Sequence, residues 1–377
     1  MSSNSSIGRA SPGRKLSSHH PELSALSRLS ANLGCNPLLV QAATGNTSIK
    51  IGSKLWVKAS GRWLADADRN DTFIPVDLAE IRGCIDKGIQ YAAEYRNSSG
   101  ACVEPSVEAP MHALMPHQVV IHVHAVNTIA WAVRRDGPAH LAGRLAGLSW
   151  QWIPYVSSGL PLALQIKGVM SSSPDVLILA NHGLVVGGES CGAAEALLRD
   201  VEDRLAAVPR SGSEPQWSQL ERMAASEPCW RVPDDAVVHA LATDATSRAI
   251  LVEGTLYPCQ AVFFGSSNAV ISPDGHISDS ERRHQSRYGV SPTFFIVEGT
   301  GVLVRQHMTV AQTQVLEGLS QVVQRIDAEA PIRYLTTADL DELSTTDAHR
   351  YRHVENGFEK SINTSDLKKV PLLGSRQ

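Results

Sequence analysis

The chain of 377 residues is long for one compact domain, and its 43% hydrophobic and 19% charged residues are ordinary for a folded, soluble protein. Its 34 basic and 38 acidic side chains give a net charge of −4 without a dense basic stripe, so we predict no nucleic-acid partner. No apolar run reaches the roughly 18 to 20 residues of a membrane-spanning helix, and six scattered cysteines without CxxC spacing predict a reduced, cytoplasmic protein with no membrane contact.

The N-terminal end is predicted to be a flexible tail over residues 1–20. It is rich in serine with some basic residues, and it lacks the apolar segment that a secretory signal needs, although organelle targeting stays open. From residue 21 to 33 the leucines recur at helical spacing, which predicts a first helix that ends near Gly34. Two strands at 48–51 and 54–59 follow, joined by a Gly-Ser turn.

The remaining pattern up to residue 210 predicts alternating strands and helices. The predicted strands are 73–76, 119–123, 176–180 and 184–186. One predicted helix begins at residue 110, and two others span 127–134 and 195–208. This order predicts an α/β fold in which a mixed sheet lies between two layers of helices, over residues 21–210.

A linker with two prolines, a glycine and short polar residues follows at 209–215 and predicts a domain boundary. Beyond it the sequence predicts a second, smaller α/β domain over residues 211–377. Its predicted strands are 249–252, 260–264, 269–271, 293–297 and 302–304, its amphipathic helix is 310–326, and roughly the last fifteen residues are expected to fray.

Two histidines on one predicted strand are the first candidate metal ligands. His122 and His124 are two residues apart, so a strand places both imidazoles on the same face with Val123 on the other. Same-face imidazoles can chelate a metal ion, and they can equally be hydrogen-bonded residues of the core. The pair alone leaves both interpretations open.

Two further side chains favour the metal interpretation. His182 stands at the end of an apolar strand, where side chains project into a site above a sheet, and a third imidazole completes the nitrogen set typical of catalytic zinc. Glu108 precedes a predicted helix, where a carboxylate can cap the helix or serve as a fourth ligand. Together the four side chains predict one divalent-metal site.

Five short motifs of the N-terminal half carry a family resemblance. They are Gly-Asn-Thr-Ser at 45–48, Lys-Ala-Ser-Gly at 58–61, the Ser-Val-Glu segment at 106–112, His-Val-His-Ala at 122–125 and Asn-His-Gly at 181–183. In this order and spacing, over about residues 22 to 208, they resemble the class II aldolase/adducin family, which includes the fuculose-phosphate and rhamnulose-phosphate aldolases. The C-terminal half resembles more weakly the extension of longer bacterial members, mainly at 335–343 and 349–352.

The resemblance implies a largely antiparallel central sheet and a zinc ion or another divalent transition metal. By resemblance, His122, His124 and His182 hold the metal with Glu108, which also acts as the catalytic acid and base. The implied reaction is an aldolase (lyase) reaction, the retro-aldol cleavage of a ketose or ketose phosphate through a metal-stabilised enediolate. Family members usually form fourfold-symmetric tetramers, so the resemblance also implies a homotetramer that acts on a small-molecule sugar or sugar phosphate.

The substrate loops of the family match three places in this chain. The matching residues, which are expected to bind substrate through backbone N–H groups and small polar side chains, are Gly45, Asn46, Ser48, Ser60, Gly61 and Ser106. Lys58 is a further cation for a phosphate. Val107 stands where the aldolases commonly carry a second hydroxyl residue, so we expect a weaker or altered phosphate site and keep non-phosphorylated substrates open.

Two further residues are candidates for roles near the metal. His112 lies one helical turn after Glu108. A contact with substrate is the alternative, but we expect this side chain to orient the metal ligands from behind. Tyr155 is a candidate proton donor in place of the family's tyrosine, against a role as a packed strand residue.

Other functions on the same fold stay open at this point. A sugar-phosphate epimerase, a dehydratase or a decarboxylase shares the metal and the enediolate chemistry. Family epimerases tend to carry aspartate where Glu108 stands, which favours the lyase. A non-catalytic, adducin-like interaction module is the remaining alternative, although such modules have lost ligands that this chain retains.

Overall fold

The computed structural model describes residues 20–96, 100 and 102–345. Residues 1–19 of the predicted tail at 1–20, the predicted frayed end and the weaker family segment at 349–352 lie outside this part. The strands are β1 (Asn46–Ile51), β2 (Lys54–Lys58), β3 (Phe73–Asp77), β4 (Tyr95–Arg96), β5 (Cys102–Val103), β6 (Val119–Val123), β7 (Trp150–Ile153), β8 (Val176–Leu179), β9 (Gly183–Gly188), β10 (Trp230–Arg231), β11 (Ala269–Ile271), β12 (Phe294–Val297) and β13 (Gly301–Arg305).

The α-helices are α1 (Pro21–Gly34), α2 (Leu78–Asp86), α3 (Ala109–Leu114), α4 (Val126–Ala132), α5 (Gly137–Arg144), α6 (Leu160–Val169), α7 (Cys191–Leu205), α8 (Trp217–Ala225), α9 (Ala240–Thr243), α10 (Ala245–Glu253), α11 (Pro258–Phe264), α12 (Ile277–Tyr288), α13 (Val310–Val323) and α14 (Thr337–Thr345). Short 3-10 turns lie at Leu64–Asp66, Met170–Ser172 and Ala236–His239. None of these described helices has the length and apolar character needed to cross a membrane.

A seven-stranded sheet forms the centre of the N-terminal half. Its strand order is β3-β2-β1-β6-β9-β8-β7, and every neighbouring pair is antiparallel except β7 and β8, which are parallel. Helices α1, α4, α5 and α7 pack on one face, while α2, α3 and α6 cover the other. The predicted three-layer α/β/α fold with a mixed, largely antiparallel sheet is therefore confirmed.

Strand β6 lies in the middle of this sheet and is covered on both faces. Val119 and Val123 contact the layer of α1 and α7, whereas Val120 contacts the layer of α3 and α6. Because side chains alternate along a strand, His122 follows Val120 onto the α3 face. All five residues of the strand are buried, so a polar imidazole in it needs a partner within the protein.

The C-terminal half has a four-stranded sheet of its own, with strand order β10-β13-β12-β11. The predicted strands at 269–271, 293–297 and 302–304 are confirmed as β11, β12 and β13, and the predicted helix at 310–326 is α13. A second, smaller α/β unit follows the first, as predicted.

Two predicted strands of the C-terminal half are wrong. The apolar segments 249–252 and 260–264 lie in helices α10 and α11. The Asp244 carboxylate accepts hydrogen bonds from two backbone N–H groups at the start of α10, and Pro258 is the first residue of α11. A short apolar run fits a buried helix as well as a buried strand, and these two helix-start signals favour the helix.

The two halves share one hydrophobic core. Ile129 of α4 belongs to the same buried cluster as Leu319 of α13, and these two helices are in contact. The segment between the halves is held as well, because Arg210 forms an ion pair with Asp244 at 2.9 Å. Each half has its own sheet, and the boundary between residues 210 and 211 stays a prediction.

Candidate metal centre

His122 and His124 approach each other at the end of strand β6. The Nε2 atoms of the two imidazoles are 3.2 Å apart. On its other side, Nδ1 of His122 lies 3.0 Å from the carbonyl oxygen of Leu184 on β9. A carbonyl oxygen only accepts, so Nδ1 carries the proton and the Nε2 lone pair of His122 faces His124.

The turn between β8 and β9 brings His182 to the same place. Asn181 adopts a left-handed conformation in this turn (φ 52°), which asparagine tolerates better than most residues. Gly183 follows, and a Cβ there would lie 2.5 Å from the carbonyl oxygen of Val123, so glycine lets the turn approach β6 closely. Ligand atoms of the three histidines consequently all lie within 4.8 Å of one another.

Glu108 faces these histidines from the start of helix α3. Its carboxylate oxygens lie 3.3 Å from Nε2 of His122 and 3.2 Å from Nε2 of His182. The side chain makes no hydrogen bond to the first turn of α3, so it does not cap the helix. Instead, Asn46 Nδ2 donates to one oxygen at 2.8 Å and the Ser158 hydroxyl donates to the other at 3.2 Å. These two donors hold the carboxylate toward the histidines.

The charge state of this ligand cluster (Glu108, His122, His124 and His182) suits a cation. Burial lowers the pKa of His122 to about 4 and holds the pKa of His124 well below its usual value. Burial alone would raise the pKa of Glu108, but the adjacent His122 and His182 bring it well below its usual range. At neutral pH the two imidazoles are thus neutral and the carboxylate is ionised. Electron-pair donors this close repel one another unless a cation lies among them, so the residues fit a divalent transition metal.

Three of the predicted substrate residues form, with His112, a buried support network behind Glu108. The Ser48 hydroxyl lies 2.7 Å from Nδ1 of His112, and Nε2 of His112 bonds to the side-chain oxygen of Asn46. Asn46 Nδ2 also donates to the Ser106 hydroxyl at 3.1 Å. Since the Asn46 oxygen only accepts, His112 carries its proton on Nε2 and accepts from Ser48. Burial lowers the pKa of His112 to about 3, which keeps the ring neutral.

The turn at Gly45 packs directly against strand β6, which carries His122. Gly45 has a φ of 64°, and a Cβ there would lie 2.8 Å from the carbonyl oxygen of His122. Lys58 ties this turn to the next loop, because its buried ammonium group donates to the carbonyl oxygens of Ala43 and Arg62. The cation predicted to meet a phosphate thus joins two backbone segments of the site.

The turn at Ser60 and Gly61 is the most open of the predicted substrate positions. Both residues are half-buried, and Gly61 has a φ of 70°. The turn is held through its backbone, since the Ser60 N–H donates to the carbonyl oxygen of Glu104 at 2.8 Å. Its partial exposure leaves it able to meet a ligand that arrives from solvent.

The loop between β7 and α6 supplies a contact that the sequence analysis missed. Ser158 donates to Glu108 from this loop, and the Ser-Ser-Gly run before a helix is the signal that identifies such a donor. Val107, which lacks the expected hydroxyl, lies beside the loop at Gly159. The Tyr155 hydroxyl is buried without a hydrogen-bond partner in the described part of the chain, and the Arg333 guanidinium lies 4.8 Å above its ring.

A cysteine of the C-terminal half also reaches the ligand cluster. The sulfur of Cys259 lies 3.2 Å from Nδ1 of His124. The two residues are 135 positions apart, and a single cysteine without metal-binding spacing gives no sequence signal for this contact. Only the packing of the two halves reveals it.

The N-terminal half matches a known family model. The model of the class II aldolase and adducin N-terminal domain matches residues 22–207. Among curated proteins, the uncharacterized oxidoreductase YuxG of Bacillus subtilis (strain 168) is 30% identical over 165 residues, which is 39% of this chain and 23% of the relative. The chain therefore spans about a quarter of the length of the curated relative that it matches.

Solved structures also match about half of the chain. The N-terminal class II aldolase domain of a conserved protein from Thermoplasma acidophilum is 22% identical with a TM-score of 0.41, and the match covers 53% of this chain and 98% of that one. The L-fuculose-1-phosphate aldolase of Thermus thermophilus is 19% identical with a TM-score of 0.34, and 48% of this chain and 89% of that one are covered.

Proposed function

We propose, from the membership of residues 22–207 in the class II aldolase and adducin family, that this chain is a zinc-dependent aldehyde-lyase. The reaction is the retro-aldol cleavage of a carbon–carbon bond in a ketose or a ketose phosphate. Family membership supports the aldolase type of chemistry, and the geometry of the ligand cluster supports the metal and the roles of individual residues.

The observation that carries the proposal is the convergence of electron-pair donors in the ligand cluster. Three histidines bring their ligand nitrogens within 4.8 Å of one another, and Glu108 adds a carboxylate within 3.3 Å of two of them. Three nitrogen ligands beside one acidic group are typical of catalytic zinc sites. A bound divalent cation would supply Lewis-acid stabilisation of the negative charge that cleavage leaves on the substrate oxygen.

Glu108 is the proposed proton carrier. Its carboxylate is ionised at neutral pH, so it accepts the proton of the substrate hydroxyl, whose oxygen becomes the aldehyde carbonyl as the carbon–carbon bond breaks. It then delivers that proton to the carbon atom that the cleavage leaves electron-rich. Asn46 and Ser158 each donate to one of its oxygens, which holds the carboxylate in a single orientation. The support network through His112 and Ser48 in turn holds Asn46, so a proton-transfer geometry is prepared before substrate arrives.

The substrate is proposed to approach along the turn at Ser60 and Gly61. The small Ser60 hydroxyl and the close backbone approach that Gly61 permits suit a phosphate or a polar sugar end. Val107, which lies beside Gly159, has no side-chain hydroxyl to donate to a phosphate, so we propose a weak dependence on phosphate. The name oxidoreductase belongs to a relative of which this chain matches 23%, and it is not carried over.

Metal analysis of the purified protein is the first test. We expect close to one divalent ion per chain after zinc loading, measured by elemental mass spectrometry, and loss of that ion on dialysis against a chelator. If the content stays far below one ion per chain after zinc is added, the proposal of a metal-dependent enzyme is wrong. An adducin-like interaction module would then be favoured.

A substrate screen with the zinc-loaded protein tests the reaction itself. Ketoses, ketose phosphates and 3-keto acids are incubated with the protein, and the products are identified. Release of an aldehyde and a shorter carbonyl compound is the expected result. Conversion to a sugar isomer, loss of water or loss of carbon dioxide without aldehyde would instead identify an epimerase, a dehydratase or a decarboxylase.

A further inference from the structure

One short segment of the C-terminal half touches two parts of the ligand cluster. It runs from Leu256 into the first turn of helix α11, where Cys259 is the second residue. Cys259 places its sulfur 3.2 Å from Nδ1 of His124. The carbonyl oxygen of Leu256 accepts a hydrogen bond from the Asn181 side chain at 2.7 Å, directly before His182 in the chain.

If His124 binds a metal ion through Nε2, the direction of its hydrogen bond with Cys259 is fixed. Nε2 of His124 points to the ligand cluster, 3.2 Å from Nε2 of His122. Its lone pair is available there only if Nδ1 carries the ring proton, and Cys259 then accepts from Nδ1 through sulfur. His122 has the same arrangement, with the Leu184 carbonyl oxygen as the acceptor. Both imidazoles are therefore held from behind by an acceptor.

The segment that carries Cys259 is rigidly placed. Gln260 accepts from the Leu256 backbone N–H through its side-chain oxygen at 2.8 Å, which closes the start of α11. Tyr257 is buried, and Phe264 at the end of the helix belongs to the core that the two halves share. A contact made from such a segment fixes the ring orientation of His124 rather than following it.

The turn that carries His182 is anchored to the same half. Asn181 donates to the carbonyl oxygens of Leu256 and Arg333, both at 2.7 Å. The Arg333 guanidinium donates back to the Asn181 side-chain oxygen at 3.2 Å. The amide of Asn181 is thus bonded on both sides, and its left-handed backbone is held by these contacts.

We propose that Cys259 is a positioning residue of the metal centre, and that the C-terminal half acts on the site by orienting His124 and the His182 turn. This inference rests on the proposed metal site. It assigns Cys259 a role as hydrogen-bond acceptor for the Nδ1 proton of His124, outside the set of groups that touch metal or substrate. Partners of this kind typically change metal affinity by about 10- to 100-fold.

The test is cobalt(II) and zinc(II) binding by the metal-free, full-length protein, measured by chelator competition and by the rate of metal release. Cys259→Ala is expected to weaken binding by about 10-fold or more and to speed release, whereas Cys259→Ser, which keeps an acceptor, should recover most of the affinity. Cys259→Val fills the side-chain space without offering an acceptor and should behave like the alanine variant. Cys191→Ala, at the start of α7, is the matched control and should bind as the unmodified protein does.

Two results separate this inference from the proposed function. Equal affinities for Cys259→Ala, Cys259→Val and the control, or a serine variant no better than alanine, would overturn the role of Cys259 while the metal site stands. An unmodified protein that binds neither cobalt nor zinc would overturn the proposed function itself. Thermal melting of the metal-free variants checks that each is folded. If Cys259→Ala does not fold, the comparison of Cys259→Val with Cys259→Ser tests the role of the acceptor.

Discussion

The ligand cluster and the turn at Ser60 and Gly61 are held in opposite ways. Every member of the cluster is buried, and its side chains are oriented by partners on other strands and helices. The turn is half-buried and is held through its backbone: the Ser60 N–H donates to the carbonyl oxygen of Glu104, and the Arg62 carbonyl oxygen accepts from Lys58. Buried and oriented groups suit a resident ion, whereas a partly exposed turn suits a ligand that enters and leaves.

The residues predicted to bind substrate divide between these two regions. Asn46, Ser48 and Ser106 are buried and bonded within the support network, and the Asn46 side-chain nitrogen donates to both Ser106 and Glu108 there. We propose that these three serve the ligand cluster, and that Ser60 and Gly61 meet the substrate. The small polar residues of these motifs therefore fall into two groups according to their tertiary partners, and their residue types alone do not reveal which group each belongs to.

The largest effects should come from the ligand cluster itself. His124→Ala should lose both bound metal and turnover, because one of the three proposed nitrogen ligands is removed. Glu108→Gln should keep the metal and lower kcat by roughly 10²- to 10⁴-fold, since an amide cannot accept the substrate proton. Metal content and kcat measured on the same preparations separate the two. Equal metal loss in both variants would show that Glu108 acts mainly as a ligand.

Acid should destabilise the metal-free protein, because the His122 imidazole is buried in the folded state and resists protonation there. His122 has its pKa lowered from 6.5 to about 4, so the unfolded chain binds more protons between these values. Stability is therefore full above pH 6.5 and is lost as the pH falls toward 4. Between pH 7 and pH 5 this group alone should lower the free energy of unfolding by about 2 kcal/mol. Urea unfolding at pH 7 and pH 5 measures this change. The free energy of unfolding of His122→Gln should fall by about 2 kcal/mol less over the same range. An identical fall in both proteins would contradict the lowered pKa of His122.

The smallest effects should separate the support network from the turn. Ser48→Ala leaves Nδ1 of buried His112 without its donor and should lower the free energy of unfolding by about 1 kcal/mol. Ser60→Ala lies at a half-buried position and should change stability by less than about 0.5 kcal/mol while raising KM. Urea unfolding and steady-state kinetics on both variants provide the comparison. A raised KM with unchanged stability in Ser48→Ala would place that hydroxyl against substrate instead.

The N-terminal half was predictable because its local patterns agree with one another. Leucines at helical spacing, a Gly-Ser hairpin turn and a mainly apolar strand each select one type of element, and the structure has α1, β1 with β2, and β6 at those places. The C-terminal half was less predictable, because the runs at 249–252 and 260–264 are apolar without a decisive period. In the structure both runs are helical, and their apolar side chains pack in the core that the two halves share.

The sequence by itself determined which atoms are available and which way they point from their own backbone. Strand alternation places His122 and Val120 on one face, and Glu108 stands at a helix start, whatever lies opposite. Only the tertiary structure decided what stands across from each group, including Ser158 at Glu108 and Cys259 at His124. The physical reason is that side-chain direction follows from local geometry, whereas a partner 135 residues away is chosen by packing of the whole core.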